Sequence, residues 1–236
     1  MKYNETLIFT ATYNEAENIR KLLNKILSIT PKIDILIIDD NSPDKTYEII
    51  KQYKLKHKNI YIKKRNRKLG LDTAHKMAFN YAKKNKYKKF ITMDADLSHN
   101  PKEITKFINN LDRFPFVIGS RYMVGGSNKM SLPRYILSYF GNLLIKNILN
   151  LKYTEFTTSY RGFNLKKLNN FSLDIVKSRG YSFFMETVFR INKAGYKIKE
   201  IPIIFESRKK GDSKIPKIEA LRTLKNVFLL YLDKNN

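Results

Sequence analysis

The stretch Phe90-Ile91-Thr92-Met93-Asp94-Ala95-Asp96-Leu97-Ser98-His99-Asn100-Pro101 decides how this chain folds. An apolar run ends abruptly in two aspartates one residue apart, and Pro101 then opens a helix-like segment. Side chains of an extended segment alternate sides, so we expect Asp94 and Asp96 to point the same way at the end of a strand. Paired carboxylates repel each other unless a cation lies between them. The stretch therefore predicts a Mg²⁺ or Mn²⁺ site that receives a diphosphate, with a solvated helix-capping loop as the alternative.

Apolar segments of strand length alternate with amphipathic segments of helix length through the first half of the chain. This alternation predicts an α/β fold, in which parallel β-α-β units form one twisted sheet flanked by helices. The second half is less regular and shows neither a flexible linker nor an internal repeat, so a single domain is expected. The expected strands are 5–9, 33–38, 60–63, 90–93, 116–118 and 197–205, and the expected helices are 15–28, 46–55, 70–84, 102–111, 132–149 and 182–194.

The composition narrows the class of protein. The chain has 46 Lys and Arg against 21 Asp and Glu, a formal net charge of +25, which attracts nucleic acid, anionic lipid or phosphorylated substrates. A plain solvated surface is the alternative for the lysines. The absence of cysteine excludes disulfides, thiolate zinc sites and cysteine nucleophiles. No apolar run is long enough to span a bilayer and no secretory pattern opens the chain, so a cytoplasmic location is expected.

Polar clusters also follow the first two expected strands, at residues 12–15 and 39–44. In open α/β sheets ligands bind beyond the carboxyl ends of the strands, so these clusters should face the same crevice as Asp94 and Asp96. Tyr13 offers a flat face for a base or ribose, and the Asp40 carboxylate can accept from a base N–H or a ribose hydroxyl. Ordinary turn formation is the alternative for each cluster taken alone.

Taken in order, these motifs resemble those of the dolichol-phosphate mannose synthase group of the family 2, GT-A-fold, inverting glycosyltransferases. The resemblance extends to about residue 214, which implies a GT-A catalytic domain over residues 1–214 with a C-terminal segment, 215–236, beyond it. One departure is Asp72, which stands where the group has a second glycine and leaves the identity of the sugar open; another is Ala11, which replaces a proline. The matching motifs are residues 12–15, 39–44, 69–71, 94–99, 119–122, 157–163, 182–186 and 208–214.

The resemblance implies a role for each matching side chain. Arginine suits phosphate oxygens because its planar guanidinium stays charged and donates in a fork. The implied catalytic residues are Asp94, Asp96, Arg121 and Arg208, of which Asp94 and Asp96 hold the metal. The implied nucleotide contacts are Ala11, Tyr13, Glu15, Asp40, Lys68 and Asp94. The implied phosphate and acceptor contacts are Arg121, Arg134, Arg161, Arg208, Ser213 and Lys214, with Glu186 near the sugar.

The implied reaction transfers a hexose from a nucleotide-sugar donor to a polyprenyl phosphate. GDP-mannose is favoured and UDP-glucose stays open, as does a glycan or lipid-sugar acceptor. The acceptor's phosphate oxygen is largely ionised at pH 7, so a strong general base is unnecessary, and His99 is expected to order its loop rather than bind the metal. A basic nucleic-acid-binding protein is the alternative of another class, but no groove-reading or RNA-binding signature occurs, so nucleic acid is not an expected partner.

The C-terminal segment has apolar residues at helical spacing over 215–232, with Lys217, Arg222 and Lys225 between them. A basic amphipathic helix of this kind can rest on an anionic membrane surface, and a helix packed on the domain is the alternative. The expected location is therefore the cytoplasmic face of a membrane, held peripherally. An anionic membrane surface and a membrane-anchoring protein join the donor and the polyprenyl phosphate as candidate partners.

Overall fold

The strands and helices of the first half lie close to where the hydrophobic pattern predicts them. The structure is a computed structural model that describes residues 5–206 and 217–235. Its strands are β1 (Thr6–Thr12), β2 (Asp34–Asp39), β3 (Ile60–Lys64), β4 (Lys89–Thr92), β5 (Phe116–Ser120), β6 (Ser127–Asn128), β7 (Arg161–Asn164), β8 (Ile198–Pro202) and β9 (Ile204–Phe205). Its helices are α1 (Ala16–Ile29), α2 (Thr46–Lys56), α3 (Leu71–Lys84), α4 (Ile104–Arg113), α5 (Leu132–Leu149), α6 (Tyr181–Lys193) and α7 (Lys217–Asn235).

Seven strands form one sheet in the order β3-β2-β1-β4-β7-β5-β8. All neighbouring pairs are parallel except the two made by β7, which runs against β4 and β5. The predicted α/β fold with a mostly parallel sheet is confirmed. The parallel arrangement brings the carboxyl ends of β1, β2 and β4 to one edge, where the polar clusters of the sequence follow them.

Apolar side chains cover both faces of the sheet because each strand points alternate residues to opposite sides. Leu7 and Phe9 pack in a core shared with α3, α5, α6 and α7, whereas Ile8 packs in a second core shared with α1, α2 and α4. Phe90 and Ile91 of β4 divide between the two cores in the same way. Burial on both faces explains why these strands appear in the sequence as continuous apolar runs.

Two segments of the second half differ from the sequence-based expectations. Strand β7 has no apolar alternation, yet its backbone completes ladders with both β4 and β5. Gly162 suits this position because a Cβ there would lie 2.9 Å from Leu111 Cδ1 of α4. The strand expected over 197–205 is interrupted at Ile203, and its last part, β9, pairs with β6 in a separate two-stranded sheet.

Helices α5 and α7 contact each other and leave many large apolar side chains exposed. Helix α5 buries only Asn142, Ile145 and Leu149, and α7 contributes Val227 and Leu230 to the core. We define the α5–α7 apolar surface as the exposed residues Leu137, Phe140, Leu144, Leu224, Phe228, Leu229 and Leu232. No described helix combines the length and the apolar content needed to cross a membrane. The domain boundary expected at residue 214 lies outside the described residues.

Candidate active site

Two aspartates follow β4 in a loop fixed by hydrogen bonds among its own residues and to Ser159. The Asp94 amide donates to His99 Nδ1 at 3.0 Å, and Ser159 Oγ donates to Asp94 Oδ1. Asp96 Oδ1 accepts from the amide of Ser98 at 3.0 Å and from its hydroxyl at 2.5 Å. The Asp94 side chain is 29% exposed, whereas Asp96 is almost buried. The loop therefore holds both carboxylates in place at the edge of the sheet before any ligand arrives.

His99 is buried beneath this loop and is neutral. Burial lowers its pKa, although the nearby carboxylates of Asp94 and Asp96 oppose that shift. Because Nδ1 accepts from the Asp94 amide, the neutral ring carries its proton on Nε2, which lies 3.3 Å from Thr158 Oγ1. Both ring nitrogens thus face protein groups, in keeping with the loop-ordering role expected for His99.

The donor atoms at the end of β4 fit a hard divalent cation. They are carboxylate oxygens, which Mg²⁺ and Mn²⁺ prefer. Within residues 5–206 and 217–235, no group of three or more histidines and acidic residues comes together as a closed metal cage. A cation held by Asp94 and Asp96 would therefore take its other ligands from substrate phosphate oxygens and water. Such an ion would offset negative charge on a diphosphate.

The two aspartates at the end of β2 have different roles. Asp39 connects turns inside the protein, whereas Asp40 lines the site. Asp39 is fully buried and accepts from Thr12 Oγ1 at 2.8 Å and from Ser42 Oγ at 2.6 Å, so it joins the turns that follow β1 and β2. Asp40 forms an ion pair with Arg65 and accepts from the Leu69 amide at 3.3 Å. Arg65, which the sequence analysis did not single out, therefore sets the position of the Asp40 carboxylate.

Tyr13 and Lys68, both expected at the nucleotide, lie against each other. Lys68 Nζ lies 4.1 Å from the centre of the Tyr13 ring, which is 38% exposed. The turn that carries Tyr13 is anchored to the loop after β2, because the Glu15 amide donates to Thr46 Oγ1 at 2.9 Å. Ala11 lies in β1, where it pairs with Ile38 of β2. An aromatic face, a cation and a carboxylate thus border the same edge of the sheet.

Most of the Arg121 guanidinium, which is expected at a phosphate, is hydrogen-bonded to protein groups, whereas its Nη1 contacts only Met130 Sδ at 4.0 Å among the described residues. Its Nε donates to Glu155 Oε2 at 2.7 Å and its Nη2 donates to Thr157 Oγ1 at 3.2 Å. Burial alone would lower the pKa of Arg121, but the charge of Glu155 raises it above the ordinary value. The guanidinium also lies 4.5 Å from the centre of the Phe205 ring. The structure gives Arg121 a role in fixing the loops around the site.

Arg161, which is expected at a phosphate, is enclosed by backbone carbonyls in this structure. Its guanidinium is 1% exposed and donates to the backbone carbonyls of Thr158, Phe184 and Phe156 at 2.7, 2.6 and 2.8 Å. Burial lowers its pKa to about 9, although Glu155 opposes the shift, so it stays protonated at neutral pH. In this arrangement Arg161 ties β7 to the start of α6.

Glu186 faces the protein interior rather than open space where a sugar could lie. It is 2% exposed, forms an ion pair with Arg190 at 3.0 Å, and accepts from the amides of Lys177 and Ser178 at 3.0 and 2.7 Å. In this structure Glu186 holds the loop that precedes α6, and its implied place near the sugar stays a prediction. Arg134 is exposed in the first turn of α5, and Arg208, Ser213 and Lys214 lie outside the described residues.

Sequence reasoning missed three residues that organise the site, namely Arg65, Glu155 and Ser159. Glu155 is fully buried and is the only acid in the stretch 151–163, which is otherwise apolar, aromatic or hydroxylic apart from Lys152 and Arg161. A lone acid in such a stretch indicates a buried partner, because an unpaired buried charge is costly. Burial alone would raise the pKa of Glu155, but Arg121 and the Thr157 hydrogen bonds lower it below the usual range.

Known proteins resemble this chain in sequence. The family model described as glycosyl transferase family 2 matches residues 7–171. An undecaprenyl-phosphate mannosyltransferase from Micrococcus luteus is 31% identical over 210 residues, covering 89% of this chain and 86% of the relative. A polyprenol monophosphomannose synthase from Mycolicibacterium smegmatis is 31% identical over 213 residues, covering 89% of this chain and 80% of the relative.

Solved structures share the fold at low sequence identity. The mannosyltransferase from Pyrobaculum calidifontis in complex with GDP-mannose and Mn²⁺ superimposes with a TM-score of 0.63 at 15% identity, covering 99% of this chain and 65% of that one. Glucosyl-3-phosphoglycerate synthase from Mycobacterium tuberculosis, in complex with Mn²⁺, UDP and glucosyl-3-phosphoglycerate, gives a TM-score of 0.68 at 13% identity, covering 97% of this chain and 79% of that one. Taken with the family match over residues 7–171, these findings show that the chain belongs to glycosyl transferase family 2.

Proposed function

We propose that this glycosyltransferase moves mannose from GDP-mannose to a polyprenyl phosphate with inversion at the anomeric carbon. The observation that carries the proposal is the pair of aspartates held after β4, at the sheet edge that also carries Tyr13 and Asp40. The names of the two relatives at 31% identity support both the sugar and the acceptor class. UDP-glucose is the second donor to test, because Asp72 stands where the resembling group has glycine.

The donor end of the site follows from the chain's own residues. Tyr13 offers its face to the base or ribose, beside Lys68, while the Asp40 carboxylate is held ready by Arg65 to accept a hydrogen bond. Asp94 and Asp96 would hold Mg²⁺ or Mn²⁺, which when bound offsets the charge of the leaving diphosphate. Structures of the same fold contain Mn²⁺, which supports a divalent ion of this kind.

Attack by the acceptor depends more on the orientation of its phosphate than on proton transfer to a protein base. A phosphate monoester is largely dianionic at pH 7, so its oxygen can attack without a general base. The buried, neutral His99 is occupied by the Asp94 amide and is not needed as a base. Positioning two anionic substrates side by side therefore supplies much of the rate, and exposed Arg134 and the residues Arg208, Ser213 and Lys214 are the proposed acceptor contacts.

Peripheral association with the cytoplasmic face of a membrane is part of the proposal. A polyprenyl acceptor lies in a bilayer, and the α5–α7 apolar surface offers side chains that could enter its interface. Phe140 and Phe228 are 59% and 60% exposed, which is unusual for aromatic side chains in water. A membrane-anchoring protein is a further candidate partner that would also cover this surface.

A transfer assay tests the proposal. The protein is incubated with radiolabelled GDP-mannose or UDP-glucose, Mn²⁺ or Mg²⁺, and undecaprenyl or dolichyl phosphate in detergent. We expect radiolabel in the organic phase, in a product that is stable to alkali or labile to acid. The amount of this product should depend on the metal and be greatest with GDP-mannose. Label that stays water-soluble for every donor and both acceptors would overturn the proposed acceptor class, and preferential use of UDP-glucose would overturn the proposed sugar.

A further inference from the structure

A cavity of about 600 Å³ lies between the start of α3, the loop before α6, and α7. We call it the α3–α7 cavity. Four cationic side chains line it, namely Lys177, Arg179, Arg222 and Lys225. Apart from Asp72, which bears on the choice of donor, the proposed function assigns no role to its lining residues, and none of them is among the proposed acceptor contacts.

The charged side chains that line this cavity are mostly positive. Asp72 is the only acidic residue in its lining within the part of the chain that the structure describes. Among the described residues, no ion pair joins Lys177, Arg179 or Lys225 to a carboxylate. Because the cations outnumber the single carboxylate in this concavity, they create a positive potential that favours an anionic ligand. Their convergence distinguishes them from the lysines spread over the rest of this basic chain.

The walls of the cavity are held in place before any ligand binds. Glu186 accepts from the amides of Lys177 and Ser178 and so fixes the loop before α6 from its buried side. Ser182 Oγ donates to Thr223 Oγ1 at 3.3 Å and joins the start of α6 to α7. A rigid rim of this kind loses little conformational entropy when a ligand binds.

Apolar side chains also line part of the cavity, beside the polar Ser178 and Asn226, and they indicate which kind of anion fits. Leu69, Leu71 and Leu229 lie in the lining, and Leu229 also belongs to the α5–α7 apolar surface. A free phosphate has no apolar part to place there, and a nucleotide has no alkyl chain that could continue along Leu229 onto the α5–α7 apolar surface. A lipid places a phosphate beside the cations and its chain along the apolar side chains, which matches the mixed lining.

We propose that the α3–α7 cavity binds the phosphate group of a membrane lipid. This inference rests on the proposed function, because a polyprenyl phosphate acceptor brings the enzyme to a bilayer. The lipid phosphate can come from the acceptor itself or from an anionic phospholipid, since both present the same charged group beside an apolar chain. In either case the cavity orients the protein on the membrane with the start of α3 at the surface.

Vesicle flotation tests this inference without requiring catalysis. The full chain is mixed with vesicles of phosphatidylcholine alone, with added phosphatidylglycerol, with added undecaprenyl phosphate, or with added undecaprenol. The variant Arg179→Gln/Lys225→Gln removes two cavity cations. The matched control Lys21→Gln/Lys51→Gln removes two exposed cations from α1 and α2, which pack on the opposite face of the sheet. Unfolding midpoints are compared first to verify that both variants fold.

We expect the cavity variant to lose about ten-fold or more of its affinity for vesicles with lipid phosphate, because each cation near an anionic surface contributes several-fold. The control should lose far less. A loss confined to undecaprenyl phosphate assigns the site to the acceptor, a loss confined to phosphatidylglycerol assigns it to bulk lipid, and a loss with both shows a shared phosphate site. Equal losses for the cavity variant and the control would overturn the inference, whether or not the transfer assay succeeds.

Discussion

Arg121 donates from Nε to Glu155 Oε2 at 2.7 Å, and both side chains are withdrawn from solvent. The pair joins the end of β5 to the stretch that leads into β7, beside the aspartate loop after β4. Removing one partner of a buried ion pair leaves the other charge uncompensated, which typically costs about 3–5 kcal/mol.

We therefore expect Glu155→Gln to lower the free energy of unfolding by several kcal/mol, measured by urea denaturation. Glu206→Gln is the control, because the Lys129–Glu206 pair is largely exposed and such pairs contribute about 0–1 kcal/mol. An unfolding free energy of Glu155→Gln equal to that of the control would show that the buried pair does not hold these loops together.

The carboxylate loop after β4 predicts metal-dependent donor binding. Asp94→Asn should abolish most of the extra thermal stabilisation that Mn²⁺ gives in the presence of GDP-mannose, because an amide is a much weaker ligand for a hard cation. Asp112→Asn is the control, since Asp112 pairs with Lys89 at the opposite end of the same strand. Undiminished manganese-dependent stabilisation in Asp94→Asn would remove Asp94 from the metal site.

The exposed ring of Tyr13 predicts stacking on the donor's base or ribose. Tyr13→Ala should weaken GDP-mannose binding in calorimetry by roughly 5- to 100-fold, since base–aromatic stacking is worth about 1–3 kcal/mol. Tyr13→Phe keeps the face and should bind nearly as well as the natural protein. Equal weakening in both variants would indicate that the hydroxyl, rather than the ring face, makes the contact.

We expect the buried side chain of His75 to make the folded protein less stable in mild acid. It lies in the core between Phe9 and Phe184, with Nδ1 2.9 Å from the Leu71 carbonyl oxygen, and burial lowers its pKa to about 4. Between pH 6.5 and pH 4 the unfolded chain binds a proton at this position while the folded protein does not, so the free energy of unfolding falls as the pH falls. The full effect is on the order of 3 kcal/mol.

His75→Phe keeps an aromatic side chain but cannot be protonated. Its unfolding free energy, measured in urea across this pH range, should fall less steeply than that of the natural protein. The pKa of His99 is also lowered, so His99 likewise makes the free energy of unfolding fall as the pH falls. Some pH dependence of stability therefore persists in the variant. Parallel curves for the two proteins would exclude His75 as a source of acid sensitivity.

The α5–α7 apolar surface predicts vesicle binding that depends on particular side chains. Leu137→Ser/Phe140→Ser should weaken vesicle binding at least about ten-fold, because burying one such side chain is worth roughly 1.5–3 kcal/mol. Leu55→Ser is the control, since Leu55 is 81% exposed on α2, on the opposite face of the sheet. Vesicle binding that is unchanged in the α5 double variant would exclude this part of the surface from membrane contact.

The α/β fold and the candidate donor edge could both be predicted from the amino-acid pattern alone. Continuous apolar runs indicate strands buried on both faces, and helices between those strands indicate that neighbouring strands are parallel. The polar clusters after β1, β2 and β4 are therefore expected at one edge of the sheet. The pattern did not reveal β7, because Arg161–Asn164 carries no hydrophobic periodicity and becomes a strand only between two ladders.

Which charged side chains are paired inside the protein became visible only once the chain was folded. Three charged residues cannot be told from exposed ligand-binding residues by sequence, yet each is surrounded by partners from other segments. They are Arg121, Arg161 and Glu186. The physical reason is that the cost of a buried charge is met by groups brought together only by folding, such as Glu155 for Arg121 and backbone carbonyls for Arg161. The same folding brought Arg179 and Lys225 to one cavity, although they are far apart in the chain.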